Sequence, residues 1–174
     1  MTSLEMIGFC GVDCSVCSDY ISEICPGCRK SAGTSSEECP LVTCCLENNS
    51  LVCGQCRKFP CDNICGFFEE SESHMEAKNR NEEIMAELRF RPGDKVQHFK
   101  RETLDQEDLD KGVYLYEIVG FAVHSETRED LMVYRALYGD RRLFVRPLEM
   151  FLEEVDREKY PDIRQRYRFE LFKK

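Results

Sequence analysis

The spacing of apolar and polar positions changes character twice along the chain. Residues 1–66 show little periodicity and read as loops and tight turns. From Phe67 the sequence passes through Glu-Glu-Ser-Glu-Ser-His into a helical rhythm, in which Met75, Ile84, Met85 and Leu88 form an apolar stripe. Ser73 and Glu76 have the three-residue offset of a capping box. Arg91-Pro92-Gly93 ends the pattern, since proline disfavours helix in the residue before it. These signals predict a connecting helix over residues 73–89.

Beyond Gly93 the rhythm is that of strands. Residues 95–100 read as a short one, and residues 113–124 (VYLYEIVGFAVH) as a long one rich in β-branched and aromatic side chains, with Gly120 at a bulge or bend. Residues 131–138 and 142–146 flank Gly139-Asp140-Arg141, a tight-turn signal. Pro147 opens one or two helical turns that reach Val155, and residues 166–172 alternate basic with apolar or aromatic positions as a closing strand. Roughly five short strands in about 80 residues predict a small SH3-like β-barrel or bent sheet. The acidic stretch 102–111 (ETLDQEDLDK) reads as a solvated loop. The expected class is therefore small α+β. A metal-pinned cysteine-rich module spans 1–66, a connecting helix and linker 67–91, and the barrel-like domain 92–174.

The cysteines sharpen the first boundary. All 12 lie between Cys10 and Cys65, and the 109 residues that follow hold none. Cys10-x3-Cys14-x2-Cys17, Cys25-x2-Cys28, Cys39-x4-Cys44 and Cys53-x2-Cys56 followed by Cys61 supply ten candidate ligands. Two-residue gaps put two thiolates on one tight turn, close enough to share an ion, and Cys25-Pro26-Gly27-Cys28 resembles a zinc knuckle. A stretch this short buries little apolar area, so metal would drive its folding. Twelve cysteines would fill three four-thiolate sites; ten would fill two and leave two thiols over. The first eleven residues carry Glu5 and Gly8 and no basic run with an apolar core, which does not read as a secretory signal. No apolar run approaches the ~20 residues that cross a bilayer. A cytoplasmic setting, where thiols stay reduced, makes metal ligation the expectation over disulfides. Zinc, two or three ions, is the expected cofactor. The alternative is an iron–sulfur cluster at Cys10-x3-Cys14-x2-Cys17, since thiolates serve both.

Charge narrows the partners. Residues 1–66 carry eight acidic and four basic side chains, 67–92 seven and four, and 93–174 eighteen and sixteen. An anionic thiolate module repels a phosphate backbone, so nucleic acid is not its expected partner.

The quoted cysteine motifs carry a resemblance. With Gly11 after Cys10, Arg29 after Cys28 and Phe59-Pro60 before Cys61, residues 8–65 resemble the cysteine-rich domain of unknown function 3795. The resemblance implies a zinc-binding domain and no known activity, and Cys45 and Cys65 fall outside its pattern. Residues 92–172 resemble the domain of unknown function 1653. The carrying motifs are Pro92-Gly93, His98-Phe99-Lys100, Tyr116-Glu117-x-x-Gly120-x-Ala122, His124-Ser125-Glu126-Thr127, Val133-Tyr134-Arg135-x-Leu137-Tyr138-Gly139, Val145-Arg146-Pro147-Leu148-x-Met150-Phe151 and Arg168-Phe169. The chain departs from that family in the acidic insertion after Lys100 and in Phe144, where the resemblance leads one to expect tryptophan.

Within this second domain His124, Ser125 and Glu126 form the most polar strand end. One reading makes His124 a proton carrier oriented by Glu126; the other makes the stretch a turn whose hydroxyls cap backbone groups. Arg135 and Arg146 lie in apolar strands, where a charge is costly unless paired. They either pair with Glu117, Glu126 or Glu149, or capture an anion. Tyr134 beside them completes a candidate recognition face for a protein or a small anionic or planar ligand. His98 reads as a structural strand histidine. The expectation is an adaptor or recognition protein; the alternatives are an iron–sulfur redox protein and a small enzyme acting through His124 and Glu126.

Overall fold

In the computed structural model, residues 4–31 and 39–173 are described. The chain divides into two compact units, Met1–Arg91 and Pro92–Lys174.

The first unit is richer in helix than its sequence rhythm suggests. Short helices α1 (Ser18–Ile21) and α2 (Cys28–Ser31) follow the first two cysteine clusters, and α3 (Pro40–Glu47), α4 (Asp62–Glu69) and α5 (Glu72–Leu88) complete it. Pro40 sits in the first turn of α3, where its missing N–H costs nothing. The core joins Phe9, Leu41, Val42, Cys45, Cys53, Ile64, Phe68 and Ala77. Leu41, Val42 and Cys45 share one face of α3, as Ile64 and Phe68 do on α4. Cys45, which stands outside the expected ligand pattern, is a buried small hydrophobe in that stripe.

Helix α5 matches the predicted span within a residue, but its cap is Ser71, whose Oγ accepts the His74 N–H at 3.3 Å. Arg89 ends it in the left-handed region at φ 61°. The helix is part of the first unit. Fully buried Asn81 accepts the Gly54 N–H at 2.7 Å and donates to Cys10 O at 2.7 Å and Ala77 O at 2.9 Å. Gly11, at φ 95°, leaves no space for a Cβ, which would stand 2.2 Å from the Asn81 amide nitrogen.

The second unit is a five-stranded antiparallel sheet of β1 (Lys95–His98), β2 (Leu115–Val123), β3 (Asp130–Ala136), β4 (Leu143–Pro147) and β5 (Phe169–Leu171), in the order β4-β3-β2-β1-β5. The register of β2 and β3 shifts between Ile118 and Gly120, the position expected for a bulge. The sheet is open. Among the described residues β4 and β5 are its edges and do not pair, so a closed SH3-like barrel is not what forms. With four residues in β1 and three in β5, that side is too short to carry the stagger a small barrel needs.

One face of the sheet buries Tyr116, Ile118, Met132, Tyr134 and Ala136 under α7 (Leu148–Leu152). Phe151 of α7 stacks on Phe169 of β5, with centroids 3.9 Å apart and planes 7° apart. Phe99, Val155 and Ile163 form a smaller cluster under the segment before β5. The acidic insertion is ordered: a 3-10 turn over Phe99–Thr103 leads to α6 (Gln106–Asp110), capped by Asp105. Glu102 accepts the N–H groups of Arg164 and Gln165 at 2.8 and 2.7 Å, which ties the insertion to the segment before β5. No helix among the described residues is long and apolar enough to cross a membrane.

Candidate functional site

The second unit opens a pocket of about 350 Å³ between the sheet and the segment before β5. Its size falls at the lower end of small-ligand sites. The floor is aromatic and buried: Tyr116, Tyr134, Phe99 and Phe169. Tyr114 and Tyr160 form half-buried walls. Tyr116 and Tyr138 share a hydroxyl hydrogen bond at 2.8 Å; burial, and then that bond, push the Tyr116 hydroxyl pKa up. Phe144 stacks on Tyr134 at 5.7 Å, so the aromatic in place of the expected tryptophan supports the floor from its side.

His98 is the one buried titratable base on this floor, 8% exposed. Its N–H donates to Tyr114 O at 3.0 Å, and its Nδ1 accepts the Lys100 N–H at 3.3 Å. That bond assigns the ring proton to Nε2. Burial, then the charges of Arg146, Lys100 and Arg168, push its pKa down to about 4, so it is neutral near pH 7. Tyr114 sits at φ 62°, a costly conformation for a side chain of its size and one that gathers at functional sites.

Four cations ring this floor: Lys100, Arg146, Lys159 and Arg168. Arg168 is paired with Glu153 at 3.0 Å. Among the described residues Lys100, Arg146 and Lys159 make no ion pair. Asp156, the one carboxylate in the lining, accepts the N–H groups of Glu158 and Lys159 at 3.0 and 3.1 Å. Arg146 lies over Phe169 with its guanidinium carbon 5.7 Å from the ring centre. The unit as a whole is nearly balanced in charge, yet this pocket is cationic.

The thiols of the first unit gather in two groups. In one, Cys17, Cys25 and Cys28 act through space on Cys14 and Cys39 acts on Cys28, while Cys10 feels both Cys28 and, from the second group, Cys53. In the other, Cys53, Cys56 and Cys61 act on Cys44, and all four line one small apolar pocket together with Cys45. Each group contains a backbone N–H bonded to a sulfur two residues earlier, Gly27 to Cys25 Sγ and Lys58 to Cys56 Sγ, both at 3.4 Å. A third such donor is Phe9, bonded to Cys28 Sγ at 3.4 Å. Burial is the main cause that raises the pKa of Cys10, Cys14, Cys28 and Cys44, to about 12 for Cys10. Cys45 Sγ and Cys53 Sγ stand 3.5 Å apart in the core, and that contact, then burial, raises Cys53. Thiols with no disulfide suit zinc or an iron–sulfur cluster as donors. Among the described residues, however, no three His, Cys, Asp or Glu side chains are arranged to hold an ion.

Residues 94–171 match the family described as "Protein of unknown function (DUF1653)", and residues 20–66 match "Protein of unknown function (DUF3795)". Both expected resemblances are therefore found. No curated protein and no solved structure matches the chain.

The structure divides the six expected recognition residues. Tyr134 and Arg146 line the pocket; His124, Ser125, Glu126 and Arg135 do not. His124 is exposed, and its Nδ1 accepts the N–H groups of Glu126 and Thr127 at 3.3 and 3.2 Å, so the stretch is a turn in which the His124 ring, in place of the expected hydroxyl, is the acceptor. Arg135 is exposed and opposite Glu117 in the ladder, one position from Tyr134 and hence on the other face. Sequence reasoning passed over His98, Tyr160 and Lys159. His98 had a signal in His98-Phe99-Lys100, but a lone strand histidine is commonly structural. Of the ten expected metal ligands, Cys10, Cys14, Cys17, Cys25, Cys28 and Cys39 belong to the first thiol group and Cys44, Cys53, Cys56 and Cys61 to the second. Cys65 is exposed and lines neither thiol pocket.

Proposed function

We propose that this chain is a cytoplasmic recognition protein. Its second unit takes an anionic ligand in the pocket over His98, and its first unit is a platform held by structural zinc. One observation carries the reading. Three cations without ion-pair partners among the described residues stand over a buried aromatic floor, in a unit that as a whole carries slightly more acidic than basic side chains. Cations gathered around one pocket are electrostatically complementary to an anion there.

The platform reading is supported by the donor chemistry. Cys14, Cys17, Cys25 and Cys28 would hold one ion, and Cys44, Cys53, Cys56 and Cys61 another, with an N–H already aimed at a sulfur in each set. Full thiolate ligation leaves no open position for water, so such zinc is structural. Binding would draw each set of thiols inward and release their protons.

Thermal unfolding of the full chain with a panel of small anionic and neutral aromatic compounds tests the recognition reading. Anionic compounds should stabilise the chain, Arg146→Glu should abolish the effect, and Arg135→Glu on the opposite face should keep it. Equal loss in both variants would point to bulk charge and overturn the reading.

A further inference from the structure

We infer that the ligand of this pocket is a single planar ring carrying a phosphate monoester, the size of one nucleotide, and not a polymer. The inference rests on the recognition reading above and narrows it. Volume sets the first limit, since about 350 Å³ admits one ring system with one compact charged group. The aromatic lining sets the second. Tyr134 and Phe169 are buried with ring faces already packed by Phe144, Phe151 and Arg146, so the half-buried Tyr114 and Tyr160 are the rings a ligand can reach, and stacking on such rings rewards a flat ligand of any base type.

Charge sets the third. Lys100, Arg146 and Lys159 bring three unpaired positive charges against the single Asp156 carboxylate, which is already engaged with backbone N–H groups. The excess of about two positive charges matches a phosphate monoester, which carries about −1.5 to −2 near pH 7. Arginine offers the fork of donors that reads phosphate oxygens in pairs. His98 adds a neutral Nε2–H donor, because its Nδ1 is held by the Lys100 N–H. A neutral donor favours an oxygen without adding to the charge already present.

Polymers are disfavoured by the remainder of the chain. Its net charge is −9, which opposes the accumulation of many phosphates on the chain. Tyr114 is in a left-handed conformation at the wall, and its carbonyl accepts the backbone N–H of His98. That outlier is independent of the charge argument and marks the same place.

Calorimetric titration of the full chain with adenosine and guanosine 5′-monophosphates tests the inference, with the nucleosides, inorganic phosphate, phenyl phosphate, benzoate and a short single-stranded oligonucleotide as comparisons. The ring phosphates should bind, and the nucleosides and inorganic phosphate should each bind about tenfold more weakly or not at all. Arg146→Gln should weaken ring phosphates by about tenfold, the loss expected for one charge-assisted pair. Lys100→Gln should act in the same direction if Arg146→Gln fails to fold. Benzoate binding as tightly as phenyl phosphate would overturn the phosphate assignment while leaving anion recognition in place. An oligonucleotide binding more tightly than the mononucleotides would overturn the single-nucleotide limit. Binding by none of the anions would overturn both this inference and the recognition reading.

Discussion

The Asn81 side chain accepts the Gly54 N–H at 2.7 Å, where a Cβ on Gly54 would meet the Asn81 carbonyl oxygen at 2.6 Å. This contact ties α5 to the turn that carries Cys53 and Cys56. Asn81→Ala should strand the Gly54 N–H and the Cys10 carbonyl in the core and cost about 2 kcal/mol. Chemical unfolding followed by circular dichroism measures it. A loss below about 0.5 kcal/mol would mean that the contact contributes little.

The thiol groups predict a stoichiometry. Purified anaerobically, the chain should be colourless and carry two zinc ions. Cys44→Ser should lose one ion, and Cys65→Ser none. Broad visible absorbance with bound iron would replace zinc by an iron–sulfur cluster, and a third zinc would break the grouping. Elemental analysis with an absorbance spectrum decides among them.

His98 predicts a pH dependence. Its folded pKa is pushed down to about 4, against about 6.5 for an exposed histidine. Between those values the unfolded chain binds a proton that the folded chain refuses. Stability therefore falls as pH drops from about 6.5 towards 4, by on the order of 2 kcal/mol, and is flat above that window with respect to this group. The chain has no tryptophan, so tyrosine circular dichroism in urea is a suitable readout. His98→Gln should flatten the slope; an unchanged slope would assign it to other groups.

Much of the second unit was legible in the sequence because strands alternate. All five strands fall within or beside the predicted spans, and the register shift falls immediately before Gly120. Two things were not. Closure into a barrel depends on how far the edge strands run, which residue type does not encode. The pocket joins His98, Tyr134, Arg146 and Tyr160, separated by up to 62 positions in the chain, and no local spacing reports that meeting. In the first unit the weak periodicity of residues 1–66 hid helices, because cysteines stand where other apolar residues would mark a face: Cys45 completes the apolar face of α3 and Cys53 enters the same core. The helix over 72–88 was legible, but its cap moved from Ser73 to Ser71, and the two hydroxyls are hydrogen-bonded to each other at 3.0 Å.

Arg146 and Arg135 predict opposite outcomes from similar substitutions. Arg146→Gln should weaken binding of a small anion by about tenfold. Arg135→Gln, exposed on the far face, should change it less than twofold. Calorimetry on both variants checks the pair.

The most direct test of the account uses the seven tyrosines as reporters. Side-chain NMR spectra of the tyrosine-labelled full chain would be recorded during titration with phenyl phosphate. The account predicts saturable shifts at Tyr114, Tyr116, Tyr134 and Tyr160, which line the pocket, with Tyr20 of the thiol-rich unit unmoved. Shifts centred on Tyr20, or none at any tyrosine, would contradict it.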